Sequence, residues 1–274
     1  MPPPFTAGEL LPMGEEITQF RLVLMPPAAG AWNMAVDEAV LAAVGRGEAP
    51  PTLRLYAWSP PCLSLGRHQP EEEADAARLA ARGWQMVRRP TGGRAILHTD
   101  ELTYALIAPA DHPLMRGGVL PSYRRIAAGL LEALRLLGIG ARMEGERPPE
   151  KQPAAVCFET PSSYEITAGG RKLIGSAQAR RDGAVLQHGS LPLWSDLGRI
   201  ADALRFPDEA AREAARTAVR QRAITASTAA GREIGWWEAA DAFRRGFAAA
   251  LGLRFVFGVL NAGEWAGVMA RLAR

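Results

Sequence analysis

Apolar residues along the chain recur with two different periods, and the switches between them predict the elements. Ile17–Met25 reads as a first strand. Val36, Val40, Leu41 and Val44 recur at helical spacing. Asn33 ahead of them reads as the N-cap, with Asp37 and Glu38 in the first turns, where the helix dipole favours acids. Leu53–Trp58 and Leu63–Gly66 alternate as half-buried strands do, with Pro60-Pro61 turning the chain between them. Glu71–Arg82, acids first and arginines last, predicts a helix. Trp84–Arg89 and Ala95–His98 read as strands around a Pro90-Thr-Gly-Gly93 turn, and Leu102–Ala108 as another strand. Ile126, Leu130, Leu131, Leu134 and Leu137 form one apolar side of a helix over Ser122–Leu137. A Pro-rich irregular loop, Gly145–Val156, follows. Ser163–Thr167, Lys172–Gln178 and Ala184–Leu193 then read as three successive strands with Gly169-Gly170 and Asp182-Gly183 turns. Beyond Ser195 the pattern is Ala-rich and mainly helical.

Strand hairpins with helices between them predict an α+β fold with a mixed, largely antiparallel sheet bracketed by helices. The expected organisation is one catalytic domain over residues 1–274, with a sheet-containing core at 17–195 and a mainly helical segment at 196–274. Residues 1–16 read as a loose tail without the basic and apolar regions of a signal peptide. No apolar run approaches the ~18 residues of a membrane span, so no membrane partner is expected, and the lack of a targeting signal implies a cytoplasmic location. A dinucleotide-binding glycine fingerprint, a P-loop and a G-x-S-x-G elbow are all absent from the sequence.

Composition narrows the chemistry. The net charge of +3 is too mild to identify nucleic acid as a partner, and none is expected. Two cysteines, Cys62 and Cys157, cannot build a disulfide framework. His68, His98, His112 and His188 are scattered, and without HExxH or CxxC no metal is expected. Of 32 basic residues only Lys151 and Lys172 are lysine. A lysine kept in so arginine-rich a chain is either a chance leftover or a position where arginine cannot substitute, because of the two only lysine can lose its proton near neutral pH. Lys151, in a Pro-rich stretch, reads as a chance survivor; Lys172 reads as functional.

Cys157 leaves a Pro-rich loop ahead of a strand, where a thiol can be exposed and nucleophilic, although a buried structural cysteine is the commoner fate of an isolated Cys; the nucleophile is the favoured reading. Cys62, at the start of an alternating strand, reads as packing. Lys172, after a glycine turn, could lower the thiol pKa, stabilise an oxyanion or relay protons; a solvated lysine at a hairpin end is the plainer reading of spacing alone. In Arg88-Arg-Pro-Thr-Gly-Gly-Arg94, Gly92 and Gly93 would let a ligand chain lie against the backbone. Arg89 and Arg94 would meet an anion, or the segment is simply a turn with exposed arginines. Gln187-His-Gly-Ser190, holding His188 and Gly189, is a polar interruption of an apolar strand and points to a site, or to an internally satisfied histidine.

These segments, with Asn33-Met-Ala-Val-Asp-Glu38, Leu55-Tyr-Ala-Trp-Ser-Pro60, Leu63-Ser-Leu-Gly66 and Gly170-Arg-Lys-Leu-Ile-Gly-Ser-Ala-Gln178, resemble the biotin/lipoate protein ligase family in order from Ile17 to Trp194. Cys157-Phe-Glu-Thr-Pro-Ser-Ser-Tyr-Glu resembles its cysteine-bearing octanoyltransferase branch. The resemblance implies the ligase catalytic core as fold. It implies octanoyl transfer from octanoyl-acyl carrier protein, through a Cys157 thioester activated by Lys172, to a lysine of a lipoyl domain or glycine-cleavage H protein. It places Arg89, Gly92, Gly93, Arg94, Gly175, Ser176, Gln178, His188 and Gly189 around the substrate. No cofactor is implied, since a thioester donor is already activated, and the expected state is a monomer. The alternatives are an ATP-dependent lipoate ligase, an amidotransferase between lipoyl domains, or a non-catalytic acyl-protein binding module. The ligases often carry an extra C-terminal domain, for which the roughly eighty residues after Ser195 leave little room. Arg94 also stands where the ligases more commonly have a third glycine.

Overall fold

The computed structural model describes residues 18–144 and 165–273. The tail, the Gly145–Val156 loop, Lys151 and Cys157 lie outside the described residues. Within them the chain runs β1 (Thr18–Leu24), α1 (Gly30–Gly45), β2 (Thr52–Tyr56), β3 (Cys62–Leu65), α2 (Ala76–Ala81), β4 (Gln85–Arg88), β5 (Ile96–His98) and β6 (Glu101–Pro109). It continues through α3 (Val119–Leu136), β7 (Ala141–Met143), β8 (Ile166–Ala168), β9 (Arg171–Arg181) and β10 (Ala184–Pro192). Last come α4 (Glu209–Arg222), α5 (Ala226–Ala230), α6 (Trp236–Leu251), β11 (Leu253–Phe257) and α7 (Ala262–Leu272).

The described strands form an eight-stranded sheet, ordered β11-β1-β2-β6-β10-β9-β8-β7, and a three-stranded sheet, β4-β3-β5. In the large sheet β1 pairs parallel with β2 and β11, and every other pair is antiparallel. The α+β architecture with a mixed, mostly antiparallel sheet is therefore the observed one. Side-chain alternation sorts each central strand onto two faces. Leu53, Leu55, Tyr104 and Leu106 join the core under α3 and α6. Tyr56, Ala105 and Ile107 join the core under α1. A third cluster, including Leu63, Leu65, Leu79, Ile200 and Val219, fills the space behind the small sheet.

At four places the elements differ from the sequence reading. Asn33 is no N-cap: α1 starts at Gly30, and Asn33 is buried inside it. Its amide donates to the carbonyls of Ala28 (3.2 Å) and Ala57 (3.0 Å), tying the helix to the loop after β2. β2 and β3 are buried throughout instead of half-buried, and they belong to different sheets, so Pro60-Pro61 is a crossing, not a hairpin turn. β4 and β5 also do not pair with each other; both flank β3, one parallel and one antiparallel. Glu71–Arg82 divides into a 3-10 turn and α2, which starts where Asp75 caps the Arg78 N–H at 3.1 Å.

The segment read as mainly helical also supplies a sheet strand. β11 extends the large sheet beyond β1, and α6 packs on α3. Arg21 of β1 makes a two-pronged ion pair with Glu264 of α7 (2.5 and 2.7 Å), and Glu264 closes the capping box on Asn261. No helix among the described residues is long and apolar enough to cross a membrane.

Candidate active site

The two sheets enclose a cavity of about 270 Å³. The large sheet contributes Thr103, Lys172, Gly175, Ser176, Ala177, His188, Gly189 and Ser190 to its wall. The small sheet and its turn contribute Ser64, Arg89, Gly93, Arg94, Ile96 and His98; Met34, Tyr56 and Trp58 complete it. Most of the sequence-selected residues therefore converge here. Gly92 and Gln178 are not on the wall, and Cys157 lies outside the described residues.

The glycine turn is shaped by close backbone approach. A Cβ on Gly66 would stand 1.9 Å from the Gly93 carbonyl oxygen, so the end of β3 and the turn can touch only through glycine. Arg89 holds the turn from inside. It donates to the carbonyls of Gly92 (2.8 Å), Arg94 (2.8 Å) and Ser64 (2.9 Å), and to Ser64 Oγ (3.1 Å). Arg89, expected to meet an anion, uses these donors to fix the wall, and Arg94 faces Glu73 at 3.5 Å. Across the cavity, a Cβ on Gly189 would lie 2.5 Å from both the Gly175 carbonyl oxygen and Ser176 Oγ.

Lys172 is not a solvated lysine at a hairpin end. The β8–β9 ladder slips between Ile166 and Thr167, so Ile166 faces Ile174 while Thr167 faces Lys172. Such an irregularity re-aims a side chain. Lys172 is buried, with Nζ donating to Glu165 Oε1 at 2.5 Å. Glu165, at the end of the motif that begins with Cys157, is buried as well.

Two buried imidazoles line the cavity in parallel arrangements. His188 donates from Nδ1 to Asp37 Oδ2 (3.1 Å), leaving Nε2 to accept from Thr91 Oγ1 (2.7 Å). Asp37 also accepts from Arg54 Nη1 (2.6 Å) and Tyr56 Oη (2.9 Å). Burial pushes His188 below the ordinary histidine value against the pull of Asp37. Burial would raise the Asp37 carboxyl, but the Arg54 and His188 interactions outweigh it and hold it low. His98 in turn donates from Nδ1 to Glu101 Oε1 (2.7 Å) and accepts at Nε2 from Ser64 Oγ (2.7 Å). Trp58 stacks on its ring, centroids 3.9 Å apart and planes 7° from parallel. Thr103 and Ser190 donate to Glu101 at 2.5 and 2.8 Å. Burial would raise Glu101, but His98 and these hydroxyls hold it below the usual carboxylate range.

Gln178 belongs to a polar chain leading away from the cavity. It donates to Gln187 (2.7 Å), Gln187 donates to Tyr104 Oη (2.9 Å), and Tyr104 meets Ser176 Oγ (2.7 Å). Cys62 is packed at the base of β3, where burial pushes its thiol up to about 12. Among the described residues no group of three or more His, Cys, Asp or Glu is placed to hold a metal ion.

Sequence reasoning missed Ser64, Glu101, Asp37, Thr91 and Glu165, and left His98 without a place. One signal was available. Asp37, Val40, Leu41 and Val44 share the apolar face at helical spacing, so an acid at that position is a buried acid that needs a cation. The other contacts join segments far apart in the chain and leave no local pattern.

A family model described as the lipoyl protein ligase A/B catalytic domain matches residues 29–248. Octanoyltransferase LipM of Kyrpidia tusciae is 44% identical over 251 residues, spanning 89% of this chain and 92% of the relative. Octanoyltransferase LipM of Moorella thermoacetica is 45% identical over 237 residues, 85% of this chain and 86% of the relative. A structure of the bi-partite lipoate protein ligase of Thermoplasma acidophilum superposes with a TM-score of 0.78 at 24% identity, covering 94% of this chain and 93% of that one. Lipoate-protein ligase A bound with ATP gives 0.77 at 25% identity, over 94% and 95%. With a family match over most of its length, the chain belongs to the lipoyl protein ligase A/B catalytic domain family.

Proposed function

We propose that this protein is an octanoyltransferase of lipoate biosynthesis, acting in the cytoplasm as a monomer. It moves octanoyl from octanoyl-acyl carrier protein to a lysine of a lipoyl domain or glycine-cleavage H protein. The observation that carries this reading is the identity, at 40–45% over most of the chain, with relatives that bear that name. The buried lysine on an apolar-walled cavity supports it.

In the proposed chemistry the Cys157 thiolate attacks the carrier thioester. Its sulfur takes the acyl carbon, and the carrier thiolate leaves with the proton from the Lys172 ammonium. The acceptor amine then attacks the Cys157 thioester, the C–N bond forms, and the C–S bond breaks. Thioester exchange is nearly balanced and amide formation runs downhill, so neither step calls for a nucleotide. Met34, Tyr56, Trp58 and Ile96 would receive the acyl tail. At about 0.8 kcal/mol per buried CH₂ the tail gains up to roughly 5 kcal/mol there.

The test is intact-protein mass spectrometry after mixing the chain with octanoyl-acyl carrier protein and a lipoyl domain in chelator, without nucleotide. The expected result is one octanoyl increment on the enzyme, absent in Cys157→Ala, and then one on the acceptor. Acceptor modification only with free acid and ATP would replace this reading with the ligase. Modification only from an octanoylated H protein would replace it with the amidotransferase.

A further inference from the structure

The transfer just proposed leaves a proton unassigned. An acceptor lysine arrives as an ammonium and ends as an amide, so its nitrogen sheds two protons. Lys172, neutral after protonating the carrier thiolate, takes one and is an ammonium again. The other needs a second acceptor on the same cavity. Two imidazoles line the wall, and the charge around each one separates them.

Asp37, behind His188, is already balanced by the Arg54 guanidinium at 2.6 Å, with Tyr56 as a further donor. A proton on His188 would gain little there and would face Arg89 as a like charge; Arg89 also donates to Ser64 Oγ at 3.1 Å, so the carboxylate behind each imidazole is what tells the two apart. Glu101 differs. Among the described residues it accepts from His98, Thr103 and Ser190, and His98 is the one of the three that can carry positive charge. This buried carboxylate is balanced when His98 is protonated. Ser64 Oγ, on the cavity wall, joins His98 Nε2 at 2.7 Å, in the geometry of a serine–histidine–carboxylate chain.

We propose that Ser64 and His98 form the second proton path of the transfer, with Glu101 as the residue that positions and charge-balances the imidazole. The acceptor nitrogen gives its proton to Ser64 Oγ as Ser64 passes its own to His98 Nε2; the imidazolium then releases it to water. No bond to Ser64 carbon or oxygen other than O–H changes. The net products are the amide, the regenerated Lys172–Cys157 pair and one released proton.

This inference rests on the thioester reading, and single-turnover experiments separate the two. Enzyme is acylated with octanoyl-acyl carrier protein, the carrier is removed, and a lipoyl domain is added. In His98→Gln, transfer to the acceptor is expected to fall about 100-fold further than acylation does, the low end of general-base effects. The KM for the acceptor stays within a few-fold. Glu101→Gln should show the same imbalance to a smaller degree. Ser64→Ala removes one oxygen from a packed strand and tests the path independently, should His98→Gln fail to fold. Equal losses in both half-reactions, or wild-type transfer by acylated Ser64→Ala or His98→Gln, would overturn the proton path. Absence of any acyl-enzyme in the wild type would instead overturn the thioester reading.

Discussion

Replacing Asp37 by Asn tests whether the α1 face of the site is held by charge. Asp37 is fully buried and ties three elements together: Arg54 and Tyr56 of β2, and His188 of β10, to its own helix. Asn keeps the volume but removes the anion, leaving the fully buried Arg54 guanidinium without its carboxylate. Asn33 Oδ1 and the Asn33 carbonyl still accept from Arg54 at 2.6 and 3.1 Å, so hydrogen bonds survive while charge balance does not. Removing one partner of a buried ion pair costs about 3–5 kcal/mol. At about 2–4 °C per kcal/mol, that lowers Tm by roughly 6–20 °C near neutral pH. The Asp37 carboxyl is held below its ordinary value, so its stabilisation is present above the unfolded value near 3.8 and is lost as the pH falls through the folded one. The gap between wild type and variant must therefore close on the acid side. The assay is thermal unfolding of both proteins from neutral pH down to the acid limit. A Tm difference under about 3 °C at neutral pH, or a gap that widens on acidification, would refute the reasoning.

Lys172→Arg keeps the charge beside Glu165 but removes the exchangeable proton, and is expected to cut turnover at least about 100-fold, nearly as far as Lys172→Ala; recovery of half the rate would show that charge alone suffices. Cys62 should resist alkylation in the folded protein and Cys62→Ala should retain most activity, because its thiol is buried and pushed up to about 12. Gly189→Ala should lower both Tm and activity, since its Cβ would sit 2.5 Å from Gly175 O and Ser176 Oγ; overpacking of this kind costs about 1–3 kcal/mol, read by thermal unfolding.

The fold was most legible where turn chemistry is local. Gly169-Gly170 and Asp182-Gly183 mark the β8–β9 and β9–β10 turns, and all four residues have positive φ. It was least legible where one strand serves two partners. β3 sits between β4 and β5, and nothing in Leu63-Ser-Leu-Gly66 distinguishes a central strand from one arm of a hairpin. β11 was hidden because five residues after a long helix carry too little pattern, yet β1 offers them an open edge. In the site, Lys172 stood out because lysine is rare here, and His188 because it interrupts an apolar strand. The Ser64–His98–Glu101 chain was hidden because its members are ordinary residues on β3, β5 and β6, brought together by the packing of two sheets.

The lysine scarcity acquires a physical meaning once the cavity is drawn. Arginine can supply fixed charge in a buried site but cannot exchange a proton. Arg54 balances Asp37 and Arg89 clamps the glycine turn, and both tasks need a permanent, many-donor cation with a planar fork. In the proposed transfer, proton exchange falls to wall residues able to perform it, Lys172 and His98, each set against a buried carboxylate. The carboxylates behind the two imidazoles are not equivalent. Asp37 keeps its arginine whatever His188 does, whereas Glu101 is balanced through His98. Under the proposed transfer, a site built this way would keep its shape through permanent charges while its proton count changes.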